Sequence, residues 1–323
     1  MKKLLFKCAL LALVLGALLY AGGEAYKRTN AYRNLEREDG TESYRDLPEA
    51  VDIAVFGASH GREDFKFFPE GQAAFNFSLS LQTPEYDLRL MREYQEHIRP
   101  GALVVLTVSP IFPFYTQPEE QFREQQPRYY RILSPGNLID PDLGLYLRGR
   151  LSPLLTEDFE DVLAAFFEDE PLEPTIDEES GHKQMTPESA QNRKPNVFSL
   201  QIAHVEACFP EANPALEEAY REMLALCQER GWRAVLAVPP YLKEYTDCYT
   251  EFSPDYFDVM RGLLEPLAWE YGAAYLDYSR DPDFTGRYDY YRDMSHMNLE
   301  GAEAFNRRFF ADLGELGLLS GLR

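Results

Sequence analysis

The chain has 323 residues, a formal net charge of −22 and 45% hydrophobic residues. This length suggests one large domain or two small ones, and the apolar content is sufficient for a core. The acidic balance argues against nucleic acid as a partner and against broad electrostatic docking on anionic lipid, because both need clustered Lys and Arg. The charge therefore predicts a soluble, self-repelling surface.

The N-terminus carries an apolar run from Cys8 to Gly23 behind a short basic segment. Counted from Leu4, with Lys7 extending its amine to the interface, the run reaches the roughly 20 apolar residues that a spanning helix needs. A signal peptide has the same organisation, but the small-residue cleavage sites here are poor. We therefore expect residues 1–23 to be an uncleaved single-pass anchor in the cell membrane. Basic residues lie close behind the span and leave its charge-based orientation ambiguous. We expect the remainder to be extracytoplasmic because a single N-terminal span usually exports the domain C-terminal to it.

The rest of the chain alternates between short β-branched runs and helical periodicity, after a polar segment at 24–48 that predicts a stalk. Apolar runs bounded by turn residues predict strands at 51–56, 73–77, 102–108, 234–238 and 273–276. Helical spacing predicts helices at 84–98, 214–230, 254–271 and 299–313. Strands that alternate with helices indicate an α/β domain with a central parallel sheet, which we assign to residues 49–323.

The region from about 114 to 196 interrupts this alternation and predicts an insertion in the domain. Pro, Glu and Asp are frequent there, and only 141–149 and 157–168 have helical character. The stretch 169–195 is rich in Glu, Pro, Ser and Lys, which is typical of a mobile loop.

Polar side chains occur at or directly after the end of each predicted strand, at the sheet edge where ligands of parallel α/β folds bind. Seven of them form the set of candidate site residues: Ser59, His60, Asn76, Ser78, Ser109, Tyr241 and Asp277. For three of them a structural role is an alternative. His60 is either a ligand contact or a surface turn residue, and Tyr241 either lines an acceptor groove or packs in the core. Asp277 either positions Arg292 or the His296 loop or, as is more common for such a residue, caps a turn.

A serine nucleophile needs a base, usually His, which a carboxylate holds in the right tautomer. Ser59 comes after the first strand at a turn of small residues, and Asp293 and His296 lie three residues apart after the last strand. Each signal has an alternative reading: a Gly-Ala-Ser segment is often only a turn, and Asn298 could cap a helix that leaves His296 on the surface. Their joint occurrence at the first and last strand ends favours a catalytic triad of Ser59, His296 and Asp293.

Two segments resemble characteristic blocks of the SGNH (GDSL-type) hydrolases. Gly57-Ala58-Ser59 is similar to the nucleophile block, and Asp293 to His296 with Gly301-Ala302 is similar to the last block. The resemblance covers roughly residues 50–110 and 230–315. It implies a flavodoxin-like three-layer sandwich and an acyl-serine intermediate, with no metal and no cofactor.

The other two blocks of that family depart from its pattern. Asn76-Phe77-Ser78 resembles the second block, where Ser78 replaces a Gly whose N–H serves the oxyanion hole. Ser109 occupies the place of the Asn that supplies another donor. Since the loss of one oxyanion donor can cost about 10²–10³ in rate, either Ser109 substitutes for that Asn or the chemistry differs from that of an ordinary esterase.

These departures, the anchor and the insertion make the chain resemble the DltD and alginate O-acetylation branch. That resemblance implies an extracytoplasmic acyltransferase or esterase that acts on O-acyl groups of cell-envelope polysaccharide or teichoic acid. It also implies a membrane-bound O-acyltransferase as partner. The alternative is a non-catalytic scaffold that binds a polymer or that partner.

The cysteines allow no zinc site, because no CxxC or Cys/His cluster occurs. Outside the span lie Cys208, Cys227 and Cys248. We expect free buried thiols, while one disulfide among the three is the alternative in an oxidising compartment.

Overall fold

The structure, a computed structural model, describes residues 2–116, 119–168 and 170–322. It contains a central parallel sheet. Its strands are β1 (Val51–Phe56), β2 (Ala74–Asn76), β3 (Ile98–Thr107), β4 (Arg233–Val238) and β5 (Ala274–Asp277). Their order is β2-β1-β3-β4-β5, and every neighbouring pair is parallel. The predicted α/β class with a central parallel sheet is confirmed, and the order is compatible with a flavodoxin-like sandwich.

The helices alternate with the strands in most of the predicted places. In chain order they are α1 (Lys2–Tyr26), α2 (Asn30–Asp39), α3 (Ser59–Asp64), α4 (Pro84–Tyr94), α5 (Glu119–Ile132), α6 (Leu143–Leu151), α7 (Phe159–Phe167), α8 (Ile176–Ser180), α9 (Pro187–Val205), α10 (Pro214–Arg230), α11 (Lys243–Phe252), α12 (Tyr256–Glu270), α13 (Pro282–Thr285) and α14 (Leu299–Glu315). The predicted helix at 84–98 is too long, because Ile98 already pairs with Val51 of β1.

The predicted mobile loop at 169–195 is wrong over much of its length, and its first residue, Asp169, lies outside the described residues. Helix α9 begins within this stretch because Thr186 caps it, accepting the Ser189 N–H at 3.1 Å, and Pro187 fits the first turn. The sequence does not predict this helix because Pro195 lies inside it, and an interior proline normally ends a helix.

The strand order places a crevice at one edge of the sheet. The chain moves outward in one direction from β1 to β2 and in the other direction from β3 to β5. Ligands of open parallel sheets bind at such a switch point, outside the carboxyl ends of the strands. Because β1 and β3 are adjacent and buried along Leu103–Thr107, the residues at their carboxyl ends meet at this crevice.

The chain divides into two compact units. One contains the sheet and consists of Asp46–Gln121 and Ile176–Arg323; the other consists of Met1–Arg45 and Phe122–Thr175. In the second unit, Tyr26, Tyr32 and Val162 form a buried cluster. The region predicted as an insertion, 114–196, thus contributes to both units, and Gln117 and Pro118 within it lie outside the described residues.

Helix α1 is 25 residues long and apolar enough to cross a membrane. None of its most apolar window is buried in the folded chain, unlike that of a core helix. The predicted N-terminal span is therefore present as a helix of suitable length and composition. All four cysteines are free thiols, with Cys227 and Cys248 buried.

Candidate active site

The nucleophile turn directly after β1 presents Ser59 as the first residue of α3. Gly57 adopts a φ of +144°, and a Cβ there would lie 1.7 Å from Thr107 Oγ1 of β3. Only glycine fits this position, because β1 and β3 approach too closely for any side chain. The turn therefore fixes Ser59 at the carboxyl end of β1, at the switch point of the sheet.

The segment between β5 and α14 holds Asp293 and His296 in one tight turn. Asp293 Oδ1 accepts the backbone N–H groups of Ser295 and His296, each at 2.9 Å. The same carboxylate contacts His296 Nδ1 at 3.0 Å and 3.1 Å. Asn298 caps α14 by accepting the Gly301 N–H at 2.9 Å, but His296 is not left on the surface as the alternative reading required.

The structure brings the three predicted triad residues together. His296 Nε2 lies 2.8 Å from Ser59 Oγ, across 237 positions of sequence. Because Nδ1 faces a carboxylate, the neutral ring carries its proton there, and Nε2 accepts a hydrogen bond from the serine hydroxyl. The resulting chain Asp293–His296–Ser59 has the connectivity by which a base activates a serine.

The charges of the pair stabilise each other. Burial acts to lower the pKa of His296, but the Asp293 carboxylate outweighs it and raises that pKa above 6.5. Burial likewise acts to raise the pKa of Asp293, but His296 and the two backbone donors hold it well below its usual range. Asp293 is therefore ionised at neutral pH, and it favours an imidazolium beside Ser59.

Asp64, which was not predicted from the sequence, connects α3, the helix that begins with Ser59, to the loop that carries His296. Its Oδ1 accepts the Met297 N–H at 3.0 Å, and its own carbonyl accepts from Asn306 Nδ2 at 2.7 Å. Burial raises the pKa of Asp64 to about 7. A polar side chain at the end of α3 thus fixes the backbone next to His296.

Gln82 and Asp87, which were not predicted from the sequence, support the nucleophile turn through hydrogen bonds to Gly57. Gln82 Nε2 donates to the Gly57 carbonyl at 3.2 Å and to Asp87 Oδ1 at 2.6 Å. Burial raises the pKa of Asp87 to about 8, while hydrogen bonds from Gln82 and the Gly57 N–H oppose the shift. Both backbone groups of Gly57 are therefore held by buried side chains.

Asn76 and Ser78 lie beside the nucleophile turn, where Asn76 acts as a brace. Its Nδ2 donates to the carbonyls of Gly61 and Phe65 at 2.7 Å and 2.9 Å, and its Oδ1 accepts the Ser78 N–H at 3.0 Å. The N–H that the sequence assigned to an oxyanion is thus already engaged. The buried Ser78 hydroxyl lies close to Gly61, where a Cβ would meet its Oγ at 2.4 Å.

Ser109 and Tyr241 are buried in the site region. Burial raises the pKa of the Tyr245 hydroxyl, and its hydrogen bond with Tyr249 opposes the shift. The buried Ser109 Oγ has no hydrogen-bond partner among the described residues. The Tyr241 ring packs edge-on against His60 at 5.0 Å. Asp277 instead caps its own turn, accepting from Ser279 Oγ at 2.6 Å, and takes no part in the triad.

His60 stacks on the triad histidine. The two imidazole centroids are 4.7 Å apart with an interplanar angle of 16°. His60 is only 7% exposed, and among the described residues neither of its ring nitrogens has a hydrogen-bond partner. Burial, and secondarily the charge of His296, lowers its pKa well below 6.5, so His60 remains neutral. The ring thus offers one N–H donor and one free acceptor beside Ser59.

Within the described ranges, no three His, Cys, Asp or Glu side chains are grouped to hold a metal ion. The sequence matches no protein-family model and no curated protein. Function must therefore be inferred from the geometry of the site.

Proposed function

We propose that this chain is a membrane-anchored, extracytoplasmic serine acyl enzyme of the SGNH hydrolase type. Its substrates would be O-acyl groups of cell-envelope polysaccharide or teichoic acid. The observation that carries the proposal is the 2.8 Å contact between His296 Nε2 and Ser59 Oγ, with Asp293 on the opposite ring nitrogen. The location at the switch point of a parallel sheet supports it further.

In the first step, Ser59 Oγ attacks the carbonyl carbon of an ester while its proton passes to His296 Nε2. Asp293 stabilises the imidazolium and keeps the ring oriented, as its hydrogen bonds to Nδ1 and to the loop backbone require. The imidazolium then donates this proton to the departing alkoxide, and the acyl group remains on Ser59. One ester bond breaks and one forms.

In the second step, His296 removes a proton from an incoming hydroxyl, whose oxygen attacks the acyl-serine carbonyl. The imidazolium returns this proton to Ser59 Oγ as the acyl bond to Ser59 breaks, which regenerates the free serine and forms the new ester or acid. A sugar hydroxyl as acceptor makes the reaction a transfer, and water makes it a hydrolysis. The resemblance to the DltD and alginate O-acetylation branch favours transfer, with a membrane-bound O-acyltransferase as the neighbouring partner. An N-terminal helix capable of spanning the bilayer is consistent with that placement.

One observation favours the scaffold alternative. The Ser78 N–H is bound to Asn76, and Ser109 replaces the family's Asn, so the oxyanion side of the site lacks its usual donors. A protein of this kind would use the crevice to bind a polymer or partner without forming an acyl-serine.

A fluorophosphonate serine probe separates the two functions. The full-length chain in detergent is treated with the probe and with a panel of short acyl esters, beside Ser59→Ala and the control Ser199→Ala, which alters an exposed serine of α9. If the chain is a serine acyl enzyme, labelling and turnover should vanish only in Ser59→Ala. Equal inertness of all three proteins toward the probe and toward esters, also with membranes that contain the partner, would establish the scaffold. Sugar acceptors then distinguish transfer from hydrolysis.

A further inference from the structure

Helices α6 and α7, in the unit that contains α1, expose large apolar side chains. On α6 these are Leu143, Leu147 and Leu151, which are four residues apart and therefore share one face. Leu147 is 66% exposed. Contiguous exposed apolar surface of this kind is typical of an interaction site.

Helix α7 also exposes large apolar side chains. Val162 packs with Tyr26 and Tyr32 in the buried cluster, and Phe166, one turn further along the same face, contacts Tyr26 but remains partly exposed. Leu163 and Phe167 are exposed beside this face. Phe167 is 82% exposed. We call the exposed set the apolar face, and it consists of Leu143, Leu147, Leu151, Leu163, Phe166 and Phe167.

The two helices that carry the apolar face, and the turn between them, contact α1. The turn between α6 and α7 lies so close to the C-terminal end of α1 that a Cβ on Gly22 would be 2.9 Å from Leu154 Cδ1, and one on Gly23 would be 2.5 Å from Ser152 Oγ. The ring of Phe166 also lies 6.2 Å from that of Tyr26, at the last residue of α1. Small residues at 22 and 23 thus allow the turn to pack directly on α1.

Helix length determines the depth of this contact in a bilayer. At 1.5 Å per residue, the 25 residues of α1 extend about 37 Å, and a hydrocarbon core of about 30 Å takes up about 20 of them. The exposed apolar residues of α1 run from Leu4 to Tyr20. Gly22 and Gly23 then lie at the boundary between hydrocarbon and headgroups, together with the turn that packs on them.

We propose that α6 and α7 lie in the interfacial layer of the same bilayer that α1 spans, with the apolar face inserted among headgroups and upper acyl chains. Interfacial helices bury such faces about 5–10 Å deep. Apolar insertion provides the attraction, since a chain of net charge −22 cannot rely on anionic lipid. Arg148 and Arg150, adjacent in sequence to the leucines, are exposed, although Arg150 Nε also donates to Tyr146 OH at 3.0 Å. This proposal needs α1 to span the bilayer and is independent of the chemistry at Ser59.

Quenching by brominated lipid tests the depth of the face. Full-length variants Leu147→Trp and Phe167→Trp are reconstituted into phosphatidylcholine vesicles, with or without bromine on the upper acyl chains. The control is Leu200→Trp, which alters a similarly exposed leucine on α9 of the other unit. The fluorescence that each variant adds to the background of the native Trp232 and Trp269 is compared. We expect brominated lipid to reduce it about twofold or more at 147 and 167 and to leave it unchanged at 200.

Intact mass and carbonate extraction report whether α1 is retained and inserted, and fluorophosphonate labelling reports the state of Ser59 in the same samples. Unquenched tryptophans at 147 and 167 in an intact, inserted chain would overturn the proposal and indicate a protein partner for this face. Loss of α1 by cleavage would overturn it as well. Neither result alters the labelling of Ser59, so a failure of the interface is distinguishable from a failure of the proposed function.

Discussion

The two sides of the candidate site differ in how their polar groups are used. On the triad side, both nitrogens of His296 and the carboxylate of Asp293 are paired, at 2.8–3.1 Å. On the side formed after β2 and β3, the Ser78 N–H is bound to Asn76 and Ser109 is buried. Between the two sides lies His60, whose ring nitrogens have no partner among the described residues.

In the proposed reaction, this contrast indicates which part of the chemistry is built into the folded chain. Groups that move a proton are held in place before a ligand arrives, which lowers the cost of organising them during reaction. Among the groups that would stabilise negative charge on a carbonyl oxygen, the Ser78 N–H is bound to Asn76, whereas the hydroxyls of Ser78 and Ser109 have no partner among the described residues. Single substitutions on each side test whether the two sides contribute as differently to the rate as they do to the structure.

The largest effect is expected from Asp293→Asn, which removes the charge on the triad side. Ester turnover or acyl transfer should fall by about 10⁴-fold, because the imidazole loses its orienting carboxylate. The wild-type rate should rise with pH through the pKa of His296, above 6.5, because only the neutral ring accepts the Ser59 proton. In the variant this pKa is lower, so the midpoint of the pH–rate profile should move to lower pH. A profile with an unchanged midpoint would show that Asp293 does not act on the base.

Ser109→Ala tests the other side. If the Ser109 hydroxyl replaces the missing amide donor, its removal should lower kcat by about 10²–10³-fold with little change in KM. Ser78→Ala is the matched comparison, since it removes a buried hydroxyl but leaves the Ser78 N–H on Asn76, and it should cost much less. Equal losses in both variants would remove Ser109 from the oxyanion role.

His60→Phe examines the residue between the two sides. The stacked ring is retained while two unpaired buried nitrogens are removed, so the free energy of unfolding should increase by about 1 kcal/mol. If His60 bonds the acyl group or acceptor, kcat/KM should fall by about tenfold. His60→Gln should recover part of this loss, because it again offers a donor and an acceptor. Chemical denaturation and steady-state kinetics measure the two changes, and a variant that gains stability without losing kcat/KM would assign His60 to packing alone.

The smallest effect is expected from Asp64→Asn. The amide oxygen can still accept the Met297 N–H, so the loop should keep its position. The variant loses a carboxyl whose negative charge helps to raise the pKa of His296. The midpoint of the pH–rate profile should therefore move slightly downward while the plateau rate is retained. A large fall in the plateau would instead show that the carboxyl itself is needed to hold the loop.

The proximity of Ser59, His296 and Asp293 was predictable because most of its information is local. Asp293 and His296 form one turn whose hydrogen bonds span three residues, and Ser59 comes after a strand that composition alone identifies. Only the last step, the meeting of residues 59 and 296, depends on the fold, and the rule for parallel strand ends supplies it. The sheet was predictable for the same reason, since buried parallel strands are continuous apolar runs.

The supporting side chains were not predictable, because their partners are distant in sequence or their role depends on close packing. Gln82 and Asp87 belong to the turn and helix after β2 and reach Gly57 only in the folded sheet. Helix α9 was not predicted because Pro195 lies inside it. It is stabilised by packing on α11, a contact that the sequence does not reveal. A single sequence carries no signal for such contacts beyond a polar residue among apolar ones.

The stacking of His60 on His296 gives the site a built-in spectroscopic reporter. Each ring lies in the ring-current field of the other, at 4.7 Å, so the imidazole proton resonances of His60 depend on the charge and position of its neighbour. The chain has only five histidines, and a carbon-edited NMR spectrum of selectively labelled protein would resolve them. Although His60 itself remains neutral, its resonances would track the titration of His296 and the arrival of an acyl group on Ser59. The state of the triad becomes visible without any added dye.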